Sequence, residues 1–279
     1  KKANLSYQEI FHYSLPLVVA SFWGIAITTA DNFYISKYFG VEVYAEFSNG
    51  FIEIPFVIMI TSAISVVLLP VYSKMAHQKT DIKHFIVLWR EVLRKSAAII
   101  YPIVVLFLFY SEIIIILLFS EKYINSALFF QISMMVNFFN IIIFSPLLFA
   151  LGRTKFYAQL HMFIALLEWS LGYVVVLVFN SPIAIAIMAV SLSILKIIIA
   201  FVFTAKFLGT SLRSLIPFKA VISYAIHSIL IMVLVQEFLL IIGQVVDSLL
   251  SLIVISITYV TLLIVTSIPL GLDYLSIIK

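Results

Sequence analysis

Apolar residues run along this chain in long blocks, and the polar and charged residues gather in short clusters between them. A block of at least about 18 such residues is long enough to cross a bilayer as a helix. Divided at charged or Pro/Gly-bearing breaks, the chain yields eight spans, at roughly 13–36, 44–72, 96–119, 127–151, 156–179, 182–207, 220–240 and 245–269. Backbone groups in hydrocarbon must be satisfied within their own segment, and no short alternating pattern of barrel strands interrupts the blocks. The expectation is therefore an all-α polytopic membrane protein of about eight transmembrane helices. Residues 83–95 read as an amphipathic helix leading into the third span, and Ser111-Glu112 is a place where that span can end. Connections such as Gly152-Arg153-Thr154-Lys155 and Asn180-Ser181-Pro182 make their neighbours antiparallel hairpins and leave no room for a soluble domain.

The clusters between the blocks also orient the chain. Assigned to alternate sides, fourteen basic residues (Lys1, Lys2, Lys74, Lys79, Lys83, Arg90, Arg94, Lys95, Arg153, Lys155, Lys206, Arg213, Lys219 and Lys279) share one face, against Lys37 and Lys122 on the other. The basic face is cytoplasmic, which puts both termini of the sequence in the cytoplasm. One span too many or too few would scramble this alternation.

Composition agrees: of 279 residues, 64% are hydrophobic and 11% charged, where a soluble domain has about 45–50% and 25%. The net charge of +4 is accounted for by orientation, so no nucleic-acid partner is expected. Cysteine is absent, which removes disulfides, thiolate metal sites and cysteine nucleophiles. The chain opens on Lys1-Lys2-Ala3, with neither an initiating Met nor a signal peptide, and reads as a piece of a longer chain.

A few polar residues fall inside the apolar blocks. A charge at the bilayer centre costs about 2.5–3.5 kcal/mol even on the lenient scale, so such residues seek water, a partner or a function. Asp31 lies near the outer end of the first span, where it either pairs with Lys37 at headgroup depth or carries a coupling ion. Glu53, about a third of the way into the second, is the stronger coupling candidate. Glu168 and Lys196 sit at matching depth on the fifth and sixth spans, and the expectation is a buried ion pair, or a coupling acid whose proton affinity Lys196 sets. Asn137 and Asn140, at i and i+3 in the fourth span, either bond sugar hydroxyls or tie one helix to another. The histidines (His12, His77, His84, His161, His227) show no metal-ligand spacing and read as interfacial.

Several stretches carry a resemblance. Ser14-Leu15-Pro16-Leu17, then 31–40 (Asp31-Asn32-Phe33-Tyr34 through Gly40), then Phe47-Ser48-Asn49-Gly50 and Glu53-Ile54-Pro55-Phe56 to Leu69-Pro70-Val71-Tyr72-Ser73-Lys74 resemble the second half of the polysaccharide-biosynthesis flippases. These are the O-antigen and capsule repeat-unit translocases of the multidrug/oligosaccharidyl-lipid/polysaccharide exporter superfamily. Phe119-Ser120-Glu121-Lys122-Tyr123 is similar to the loop after the family's ninth helix, with Ser120 where Gly is commoner, and 150–155 resembles the turn between its tenth and eleventh.

The resemblance implies a two-lobed transporter of which 1–210 is the second six-helix lobe, 211–279 two additional helices, and the first lobe lies outside this chain. It implies a non-enzymatic function: passage of undecaprenyl-pyrophosphate-linked oligosaccharide across the cytoplasmic membrane by alternating access, coupled to a H+ or Na+ gradient and needing no cofactor. Its partners would be that substrate, membrane lipids and polysaccharide assembly proteins. The alternative from the same superfamily is a cation-coupled multidrug exporter. A membrane glycosyltransferase or polymerase would need acids or Arg clustered in a long outward loop, and the outward loops are short and sparsely charged.

Overall fold

The structure is a computed structural model that describes residues 6–243, 246 and 248–274. Lys1, Lys2 and Lys279, assigned above to the cytoplasmic face, lie outside the described residues. Every element within them is helical. Seven helices are long and apolar enough to cross a membrane: α1 (Tyr7–Gly50), α2 (Pro55–His77), α3 (Ile82–Phe109), α7 (Thr154–Phe179), α8 (Pro182–Phe207), α10 (Phe218–Ile241) and α11 (Leu249–Leu270). The short helices α4 (Ser111–Phe119), α5 (Ser126–Met134), α6 (Ser145–Ala150) and α9 (Leu212–Leu215) lie between them.

The eighth expected span, 127–151, is helical but not continuous. After α5 the chain tightens into a 3-10 turn, Met135–Phe138, passes through non-helical residues and re-forms as α6. Pro146 stands in the first turn of α6, where its missing N–H is harmless. Three β-branched residues, Ile141-Ile142-Ile143, precede it. The first two expected spans also meet differently from the pattern's division at 37–43. α1 continues to Gly50 through a break at Gly40, whose φ of 85° and ψ of 177° suit a residue without Cβ. The separation before α2 falls instead at residues 51–54, immediately ahead of Pro55, which begins a helix rather than bending one. The amphipathic stretch 83–95 is continuous with the apolar half of α3, and the chain breaks at Tyr110 before α4.

The chain forms two compact units. The first comprises the described residues up to Ala45, Ser62–Phe85 and Ile142–Thr210. Within it α7 and α8 pack along their lengths, joined by left-handed Asn180, extended Ser181 and Pro182 at the first turn of α8. At the end of α7 that begins with Thr154, the rings of Phe156, Phe203 and Phe207 cluster in tilted and edge-to-face contacts, and the guanidinium of Arg153 lies 4.6 Å from the Phe207 ring centre. Tyr72 and Phe85 stack in parallel, with centroids 6.0 Å apart.

The second unit comprises Glu46–Thr61, Ile86–Ile141 and the described residues from Ser211 on. There Gly50 lies against α5: a Cβ at that position would fall 2.4 Å from the Phe129 Cβ. Tyr101 Oη on α3 donates to the Phe138 carbonyl at the helix break (3.1 Å). α10 and α11 are tied by the Tyr259 hydroxyl, which donates to the Ser228 carbonyl, and by His227, set between the Tyr274 and Thr266 hydroxyls at 2.9 Å each. The chain last passes from the first unit to the second after Thr210, and 46–61 and 86–141 group with the C-terminal helices.

Candidate functional site

In the first unit, a carboxyl pair is assembled by the way α1 seats on α7. The buried residues of α1 include Ile27, Ala30, Asp31, Tyr34 and Ile35, and those of α7 include His161, Ile164, Ala165, Glu168 and Gly172. Both sets repeat every three to four residues, one stripe of a helix. Three contacts hold the register. Trp169 Nε1–H donates to the Ala26 carbonyl at 3.0 Å, Tyr34 Oη–H donates to the Trp169 carbonyl, and the Tyr34 ring occupies the space that a side chain at Gly172 would need. Phe33 and Tyr34 flank the Trp169 ring at 5.4 and 5.9 Å.

This register brings Asp31 and Glu168 into hydrogen-bond reach of each other, across 137 residues of sequence. Asp31 is 8% exposed and Glu168 1%. Asp31 Oδ1 and both Glu168 oxygens lack any donor from the described residues. Two ionised carboxylates are acceptors only and repel each other, so this contact becomes a hydrogen bond when one of the two carries a proton.

The expected ion pair between Glu168 and Lys196 does not form. Matching depth places two residues on the same level but leaves their azimuth open, and Glu168 falls on the stripe of α7 that faces α1. Lys196, half-buried on α8, is within Coulombic range of Glu168 without bonding to it. His161, two turns before Glu168 on the same stripe, is also in Coulombic range of Lys196. Its Nδ1 lies 2.9 Å from the Tyr157 carbonyl, a contact that requires the proton on Nδ1. The expected pairing of Asp31 with Lys37 is likewise not made: the Lys37 ammonium lies over the Phe33 and Tyr38 rings, at 5.0 and 5.3 Å.

The remaining candidates fall in the second unit. Asn137 and Asn140 sit in the broken stretch between α5 and α6, where Asn140 Nδ2 donates to Asn137 Oδ1 at 2.8 Å. Asn137 is buried and its own Nδ2 points to Met134 Sδ (3.7 Å), so the two amides brace the turn around each other. Glu53 is exposed in the non-helical segment before α2 rather than a third of the way along a helix. Pro55 moves the helix start past it.

Trp169, Tyr34 and Gly172 were not singled out from the sequence. Their signal is weak, Tyr34 three positions after Asp31, Trp169 one and Gly172 four positions after Glu168, and it becomes legible only once α1 is set against α7.

Residues 3–128 match a family model described as polysaccharide biosynthesis protein. The match takes in α1 with Asp31 and ends before Asn137, Glu168 and Lys196. No curated protein and no solved structure matches the chain.

Proposed function

We propose, from the match of residues 3–128 to the polysaccharide biosynthesis protein family, that the chain is the lobe of a flippase that carries lipid-linked oligosaccharide across the cytoplasmic membrane. The family match carries this reading, together with the seven helices among the described residues that are long enough to cross a membrane. The work is transport, not covalent chemistry. A polar glycan headgroup crosses hydrocarbon only along a lined path that opens first to one side and then to the other, and the driving force is an ion whose binding favours one of those states. The lipid carrier is undecaprenyl pyrophosphate, both ends of this chain face the cytoplasm, and the glycan leaves on the outer leaflet. The buried carboxyl pair supports ion coupling, because a charge that appears and disappears in a dry site changes the stability of one packing relative to another.

The test is genetic and chemical. Deleting the gene should abolish surface polysaccharide and leave lipid-linked oligosaccharide accumulated in the inner leaflet, both reversed by the wild-type copy. Normal surface polysaccharide in the deletion, with a new sensitivity to cationic drugs instead, would favour the multidrug exporter.

A further inference from the structure

We propose that Asp31 and Glu168 form a proton-binding site in which the two carboxyl groups share one proton, with the Lys196 ammonium standing where a metal cation would otherwise be required. The inference deepens the transport reading and rests on it for its link to flipping, but the site itself rests on geometry.

Both acids are more than nine-tenths buried and face each other, and three of their four oxygens have no donor among the described residues. A charged carboxylate in that condition is unstable, and a pair of them more so. One proton removes both problems, since it neutralises one group and gives the other its hydrogen bond. A metal ion fits less well. Ca2+ takes about 6–8 oxygen ligands and Mg2+ an octahedral shell, whereas this cluster offers two carboxyl groups, with Lys196 in Coulombic range of Glu168. The titratable and charged groups gathered here are Asp31 on α1, Glu168 and His161 on α7, and Lys196 on α8.

The step is COOH···⁻OOC giving two carboxylates and one released proton. With Lys196 as ammonium, the site changes from net neutral to one negative charge. The charged form is the one that burial between α1 and α7 cannot tolerate, so release demands that the interface loosen and admit water. A proton taken up on one side therefore closes the α1–α7 contact, and its loss opens it, which is the differential stability that alternating access needs.

Infrared difference spectroscopy on the purified full-length protein reads the proton directly. A protonated-carboxyl stretch that shifts in D2O is expected at neutral pH, and it should vanish in both Asp31→Asn and Glu168→Gln and stay unchanged on adding Na+. Absence of the band in the wild-type protein, its survival in both variants, or its loss on adding Na+ overturns the proposal; the wild-type arms hold even if a variant fails to fold. In proteoliposomes loaded with the lipid-linked oligosaccharide fraction from cells lacking the protein, a pH gradient should drive flipping and a Na+ gradient should not. Flipping driven by Na+ alone also overturns the proposal. No flipping under any gradient, with the band behaving as described, leaves the proton site standing and refutes the transport reading.

Discussion

Adding a single methyl at Gly172 should prise α1 from α7. A Cβ built there lies 2.4 Å from Tyr34 Cε2 and 2.6 Å from Cδ2, where carbon atoms at ease sit about 3.5–4.0 Å apart. The overlap of about 1 Å cannot be relieved by a swing of the ring. Tyr34 is 5% exposed, its hydroxyl is bound to the Trp169 carbonyl, and its ring is flanked by Phe33 and Trp169. Overpacking of this kind costs about 1–3 kcal/mol. Alanine in a helix interior recovers about 1 kcal/mol over glycine, so the single change Gly172→Ala should be destabilising by about 0–2 kcal/mol. The sharper quantity is the coupling. With Tyr34→Leu the overlapping ring atoms are gone and Gly172→Ala should turn stabilising by about 1 kcal/mol, a non-additivity of about 1–3 kcal/mol in the double-mutant cycle. Thermal unfolding of the detergent-purified full-length protein, followed by tryptophan fluorescence, measures all four corners, with Trp169 as a reporter at the contact. Glu168 lies one turn away on the same stripe, so the alanine variant should also lose flipping. If Gly172→Ala changes stability by the same amount with and without Tyr34→Leu, the α1–α7 register described above is wrong.

Three further outcomes are expected. Glu168→Gln can donate its amide to Asp31 and should keep folded yield near normal while flipping falls; Glu168→Leu leaves Asp31 without that partner and should lower yield, by an equivalent of about 1–3 kcal/mol, and adding Asp31→Leu should restore it, as gel filtration of membrane extracts can show. Tyr101→Phe removes the donor to the Phe138 carbonyl at the helix break and should cost about 1 kcal/mol, read as a lowered unfolding temperature with flipping retained. The chain has no cysteine, so Lys79→Cys, Arg153→Cys and Lys122→Cys can be labelled against a blank background, and an impermeant reagent applied outside should reach only the last; outside labelling at Arg153→Cys inverts the orientation.

Much of the helical pattern was legible from hydropathy, because in an apolar chain a run of uncharged residues between turn signals has few alternatives to helix. The span 182–207 matches α8 to the residue, and 156–179 differs from α7 by two at its start. The interrupted stretch 127–151 was not legible by the same measure, since unwinding at 139–144 leaves mean hydropathy untouched. The cue lay in local chemistry, the Ile141-Ile142-Ile143 run before Ser145-Pro146. Glu53 sits elsewhere for a related reason: the expected span 44–72 runs through Pro55, and in the structure Pro55 begins a helix. Asp31 and Glu168 stood out individually as acids in apolar runs, but their contact is set by the azimuth of two helices far apart in sequence. Depth alone pointed Glu168 toward Lys196 on the next helix, and only the packing of Tyr34 into the gap at Gly172 turns it toward α1.

The central claim, that the full-length protein moves lipid-linked oligosaccharide between leaflets, is tested most directly in sealed proteoliposomes containing the purified protein and the lipid-linked oligosaccharide extracted from the deletion strain. A membrane-impermeant reagent that destroys the glycan is added outside, and the protected fraction is followed over time. The account predicts that the inner-leaflet share becomes accessible when a pH gradient is applied and stays protected in protein-free liposomes and with Glu168→Gln. Protection identical with and without the wild-type protein would contradict it.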